Sequence, residues 1–236
     1  MRFLLYNIRY ATGHGKGYHL PLPFSGFFRH TTNKLNQIIE FIESVRPDII
    51  ALIEVDSGSY RSDKCCQADI IAQKLHQFHI VKTKYGKNSM ACRVPVLNTQ
   101  SNALLTSEKI TGHQFHYFEE GFKRLVIEVE LSQIVIFIVH LSLKYRHRQQ
   151  QLEHLHRLVK NSDKPVIVAG DFNTFGVAES WNSSRQPQAW RMQTPCTIPR
   201  TPAMPPIGNS TLFCTARSLR PWVFTSLTSG SQTTPR

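Results

Sequence analysis

Over residues 1–175 the apolar positions follow two alternating periods. Arg2–Ile8 is a short apolar run that meets the polar Asn7 and Arg9, and reads as a strand. Leu35, Ile38, Ile39, Ile42 and Val45 recur at helical spacing within Thr32–Val45. Thr31 or Thr32 stands where a helix cap is wanted, and Pro47 stops the helix. Asp48–Ile53 is an unbroken apolar stretch, the pattern of a buried strand, and it runs into Glu54 and Asp56. Ala68–Phe78 places Ile71, Leu75 and Phe78 on one side of a second helix. Four strand candidates follow, at Ile80–Lys84, Asn102–Ser107, Phe122–Leu131 and Ile134–Leu141. A helix near Arg148–Val159 leads to a strand at Pro165–Ala169 and the loop GDFNTF. Strands mixed with helices in this way predict two packed sheets with helices outside, an α/β sandwich.

The pattern stops after Phe175. Residues 176–236 hold all three tryptophans and eight of the thirteen prolines, but no Lys, His, Asp or Tyr, and Glu179 is their single acid. They show no sustained period of two or 3.6. Such a stretch buries too little apolar surface to offset its ordering entropy, and is expected to be a disordered or non-native tail behind a domain at 1–175.

Composition narrows the function classes. No run approaches the roughly 18 apolar residues of a membrane span, and MRFLLYNIRY lacks a signal peptide's long apolar centre. A soluble, cytoplasmic protein without an obligate protein partner is expected. The five cysteines form no CxxC pair and no zinc spacing, and read as reduced thiols. The formal charge of +12 favours a polyanionic partner.

The candidate chemistry sits at strand ends. Asn7 closes the first strand, Glu54 follows IIALI, His140 follows IVIFIV, and Asp171 and Asn173 follow VIVAG. A hard cation takes oxygen ligands, commonly one or two carboxylates with waters completing the shell. Glu54 supplies a carboxylate, and Asn7 or Asn173 an amide oxygen. Taken singly, an Asp or Asn after a strand is more often a turn residue.

The stretches YNIRY, PDIIALIEV, QSNALLTS, FKRLVIEVEL, IVHLSLKYRHRQQQL and PVIVAGDFNT resemble the endonuclease/exonuclease/phosphatase superfamily, in its order and at compatible separations. The resemblance implies a deoxyribonuclease I-like sandwich and a phosphoester hydrolase using Mg²⁺ or Mn²⁺. It implies that Glu54 binds the metal, with Asn7 supporting it. It gives His140 the donor role to the phosphate, Asp171 the aiming or activation of water, and Asn173 a phosphate oxygen. Asn102 would line the phosphate pocket. The substrate class would be nucleic acid or a phosphorylated lipid or inositol.

The same family carries an LDxIL-like strand and then Ser-Asp-His near its C-terminus. This chain has no His after His156 and no Asp after Asp171. Regrouping the tail codons by one base changes this. The codons of Asn209–Thr215 then permit Leu-Asp-x-Ile-Leu-His, and those of Ser229–Pro235 permit Arg-Leu-Ser-Asp-His. Both absent motifs return in one register, as expected if one base is missing from the reading frame just after Phe175. Two functions follow: an active hydrolase for the frame-restored chain, or an inactive remnant with weak metal or polyanion binding. The long segment 13–30, near the site, reads as an ordered loop with buried phenylalanines. Alternatively, Lys16 and Arg29 contact phosphate while Phe24, Phe27 and Phe28 meet a base or lipid.

Overall fold

The computed structural model describes residues 1–12, 31–85, 93–121 and 123–173, and the backbone of 191–193, 211–215 and 222–225. The elements are β1 (Arg2–Asn7), α1 (Thr32–Val45), β2 (Ile49–Asp56), α2 (Gln67–Leu75), β3 (Phe78–Thr83) and β4 (Gln100–Thr106). They continue with β5 (Gly112–Tyr117), β6 (Leu125–Glu130), β7 (Val135–His140), α3 (Tyr145–Lys160) and β8 (Val166–Asp171). Three short strands complete them: β9 (Arg191–Gln193), β10 (Thr211–Thr215) and β11 (Trp222–Thr225). Strand order is β10-β1-β2-β4-β3 in one sheet and β5-β6-β7-β8-β11-β9 in the other. The expected two-sheet sandwich with outer helices is the fold observed.

Alternation along each strand builds three apolar layers. Phe3, Leu5, Ile49, Ala51 and Ile53 turn inward to meet Ile127, Val129, Ile136, Ile138 and Ile167 of the second sheet. Their neighbours Leu4, Tyr6, Ile50 and Leu52 turn outward and are covered by Leu35, Ile38 and Ile42 of α1 and by Ile71 of α2. On the far face, Val126, Phe137, Val139 and Val168 pack on Leu155 of α3. Strands covered on both faces must be apolar at every position, which is why β2, β7 and β8 read as unbroken runs.

Several local expectations differ from the structure. The Thr31 hydroxyl does not cap α1 but donates to the Arg61 carbonyl at 3.1 Å. Helix α2 ends at Leu75 because His76 turns left-handed (φ 52°). Phe78 therefore opens β3, where its side chain is 55% exposed. Strand β5 (GHQFHY), antiparallel to β6, was not anticipated; its polar and histidine-rich pattern lacks an apolar alternation. Helix α3 begins three residues before the expected Arg148. No period marks residues 176–236, yet β10 pairs with β1 and β11 with β8 in backbone register. The rest of that stretch, and the 13–30 segment, lie outside the described residues.

A buried ion pair fixes the loop after β2. The Asp56 carboxylate accepts from Arg61 Nη2 at 2.8 Å and Nε at 3.1 Å, from Ser59 N at 2.7 Å and from Gly58 N at 3.0 Å. Burial alone would raise this carboxyl, but the bonds from Ser59, the Arg61 charge and the Gly58 amide hold it below the ordinary value. A depressed carboxyl stabilises the fold fully above the unfolded pKa of about 3.9, and that contribution fades as pH falls toward the folded value. Asp56→Asn strands a buried guanidinium and is expected to cost about 3 kcal/mol at pH 7. In urea titrations the gap to the parent chain should narrow below pH 4.

At Gly170, in β8, φ is +157° and an added Cβ would lie 1.8 Å from the Val139 carbonyl oxygen of β7. Neither backbone can retreat without breaking the β7–β8 ladder. Gly170→Ala is expected to lose about 3 kcal/mol by the same measurement; an unchanged midpoint would show that the two strands can part locally.

Candidate active site

Parallel pairing of β1 with β2 sets Asn7 beside Ile53, and the Ile8 amide donates to the Ile53 carbonyl at 3.0 Å. Asn7 and Glu54 thus leave the same edge of neighbouring strands. The Asn7 Oδ1 accepts from the Arg9 amide at 3.0 Å. Glu54 stands at an irregularity: Leu52 pairs with Ala103 and Val55 with Ser101, leaving Ile53 and Glu54 opposite the single residue Asn102. Glu54 is left-handed there (φ 59°), a conformation costing a non-glycine residue about 1 kcal/mol. Its amide donates to Asn102 Oδ1 at 3.2 Å. The bulge re-aims the carboxylate out of the strand's alternation. Asn102 is fully buried, and its Nδ2 has no hydrogen-bond partner among the described residues.

The second sheet supplies the opposing groups. Parallel register pairs His140 of β7 with Asp171 of β8, leaving His140 Nε2 3.6 Å from Asp171 Oδ2. Lys123 Nζ contacts the same Nε2, while Nδ1 is buried and has no partner among the described residues. Burial, reinforced by Lys84 and Lys123, lowers the His140 pKa well below its ordinary value, so the ring is neutral. With Nε2 accepting from an ammonium, the ring proton belongs on Nδ1. Asp171 Oδ1 accepts from the Asn173 amide at 3.0 Å. Asn173 is left-handed (φ 49°) and turns its Nδ2 back to the Leu141 carbonyl at 2.7 Å.

Two lysines stand close to these groups. Lys84, just after β3, is buried and donates to the Tyr10 hydroxyl at 3.1 Å. Its Nζ lies 5.3 Å from the centre of the Tyr10 ring, and the Arg61 guanidinium lies 4.8 Å from it. Burial pushes Lys84 down to about 8; Glu54 opposes this, Lys123 adds to it and Asp171 opposes it. Lys123 is likewise lowered by burial against the pull of Glu54 and Asp171. Both carboxylates act on both lysines, so Glu54 of one sheet and Asp171 of the other share one end of the sandwich. All six expected residues are brought to that end.

Helix α3 holds the loops in place. Arg148 Nη1 donates to the carbonyls of Ser142 (3.3 Å), Leu143 (3.0 Å) and Asn173 (3.1 Å), tying the loop after β7 to the loop after β8. Gln151 Nε2 donates to the carbonyls of Glu120 and Lys123, both at 2.9 Å, and its Oε1 accepts from the Ser142 amide at 2.8 Å. Lys123 is thereby fixed against His140. Sequence reasoning missed Lys84, Lys123, Arg148 and Gln151. The usable signal was on α3, where Arg148 and Gln151 fall on one face at i, i+3. Among the described residues no three His, Cys, Asp or Glu gather at metal-ligand spacing. The oxygen donors Glu54 and Asn7 fit only a hard cation that keeps much of its water.

No curated protein matches the chain in sequence. Humanized D. rerio TDP2 carrying 14 mutations superposes with a TM-score of 0.51 at 16% identity, over 80% of this chain and 72% of its own. The human Nocturnin catalytic domain with bound sulfate anion gives 0.51 at 19% identity, over 77% and 67%. A Leptotrichia buccalis endonuclease/exonuclease/phosphatase family protein gives 0.52 at 14% identity, over 77% and 70%. These likenesses establish the shared fold. The sequence itself matches the Endonuclease/Exonuclease/phosphatase family across residues 5–195, past the Phe175 boundary and over most of the chain, and the chain belongs to that family.

Proposed function

We propose that the chain is built as a divalent-metal-dependent phosphoester hydrolase that cleaves by in-line attack of water. One observation carries this reading: two carboxylates from opposing sheets act on buried Lys84 and half-buried Lys123, beside an Asn102 Nδ2 that has no acceptor among the described residues. A buried amide N–H without an acceptor costs about 1–3 kcal/mol, and a phosphoryl oxygen would satisfy it. Mg²⁺ or Mn²⁺ held by Glu54 and Asn7 would supply Lewis-acid stabilisation of the phosphoryl charge. Asp171, held by the Asn173 amide, orients the attacking water and takes its proton. Lys123 and Lys84 neutralise equatorial oxygens as charge develops. Neutral His140 positions Lys123 through Nε2 and keeps Nδ1–H as a further donor. The substrate is nucleic acid or a phosphorylated lipid or inositol.

Glu54→Gln removes the charged ligand and leaves the amide bond to Asn102 intact. It should lower hydrolysis of an aryl phosphodiester in Mg²⁺ by about a hundredfold or more, and excess chelator should abolish the parent rate. A full rate in chelator would rule out the metal.

We further propose that a single base is missing from the reading frame just after Phe175, because the tail lacks the His and Asp that complete the family's site. The frame-restored chain should hydrolyse phosphoesters on the order of 10²–10⁴-fold faster than the present one, the usual contribution of a general acid–base group. Resequencing the codons for residues 173–180 and assaying both chains side by side decides it. Equal rates would place the second half of the site elsewhere.

A further inference from the structure

Six large apolar side chains stand exposed among the described residues, and two of them, Leu143 at 57% and Tyr145 at 54%, lie two positions apart where the loop leaving His140 enters α3. The hydrolase reading uses neither. Both are mounted on fixed backbone, since the Leu143 carbonyl accepts from Arg148 Nη1 at 3.0 Å and the same nitrogen holds the Asn173 carbonyl. The Tyr145 ring is braced by the Arg148 guanidinium 5.7 Å from its centre. Exposed Lys144 and Arg146 flank the ring, and the first turn of α3 contains no acid. A rigid aromatic face among cations, continuous with a phosphate site, is how single strands are gripped. Bases stack on the ring and phosphates meet the charges. Two side chains offer far less apolar area than a helix lying in a membrane interface buries.

We propose that the Leu143–Arg146 rim seats a nucleotide flanking the phosphate held at the His140–Asp171 end, so that the substrate is a single-stranded nucleic acid. This rests on the phosphoester reading of that end. An unpaired base is required, because a paired one has no free face to offer the ring. Tyr145 selects for the presence of a base, whereas Lys144 and Arg146 grip the backbone without regard to sequence.

The test is fluorescence anisotropy of the full chain in chelator, with a labelled ten-nucleotide oligothymidine and an abasic strand of equal length and charge. Tyr145→Ala should weaken the base-bearing strand on the order of tenfold and leave the abasic strand unchanged. Tyr145→Phe should bind as the parent does. Lys144→Glu should weaken both strands alike and flatten the salt dependence. Circular dichroism of each variant guards against unfolding. Equal affinity of the parent for both strands, or an equal loss on both in Tyr145→Ala, overturns the proposal. So does capture by phosphatidylserine vesicles that Leu143→Ser abolishes while no strand binds. Hydrolysis of an aryl phosphodiester in Mg²⁺ is followed in parallel. Hydrolysis without Tyr145-dependent discrimination sinks the rim and spares the hydrolase. Discrimination without hydrolysis, in this chain and in its frame-restored form alike, does the reverse.

Discussion

The site depends on one buried guanidinium. Arg148 lies under the loops that follow β7 and β8, and among the described residues three backbone carbonyls accept from it. A planar fork of donors can address several carbonyls at once; a lysine ammonium lacks that geometry. Parallel β7 and β8 bring His140 and Asp171 level, but parallel strands do not fix the chain beyond their ends. Arg148 does so, and Gln151, one turn further along the same helix, extends the control to Lys123. The position of the chemistry is thus set by a helix that contributes no reacting group.

Much of the fold was legible in the sequence because burial on two faces forces continuous apolar runs, and β2, β7 and β8 have them. The candidate site was legible for a related reason: polar Asn7, Glu54, His140 and Asp171 each interrupt or end such a run. What stayed hidden was set by tertiary context. Strand β5 is held at a sheet edge by its pairing with β6 rather than by its own pattern. The start of α3 has no Ser, Thr or Asp cap to announce it. Lys84 and Lys123 look like ordinary surface lysines in a basic chain; only packing reveals that they share one enclosed end with two acids.

That enclosure has an electrostatic logic. Two lysines facing two carboxylates leave the site close to neutral, so the desolvation of each charge is offset by its neighbours. Under the proposed reading, an arriving phosphate would compete with Glu54 and Asp171 for the lysines, and a cation would compete with the lysines for the carboxylates. Anion and cation would each free what the other needs, coupling their binding through the same four side chains.

Strand β1 lies between β2 on one side and β10 on the other, with Tyr6 opposite Thr211. During translation β1 gains β2 soon after it is made, but the strand for its other edge follows about 200 residues later. At a few to some twenty residues per second, one side of β1 waits for ten seconds or more as an open hydrogen-bonding edge in the nascent chain. Until β10 arrives, that edge is a natural target for chaperones that shield unpaired strands.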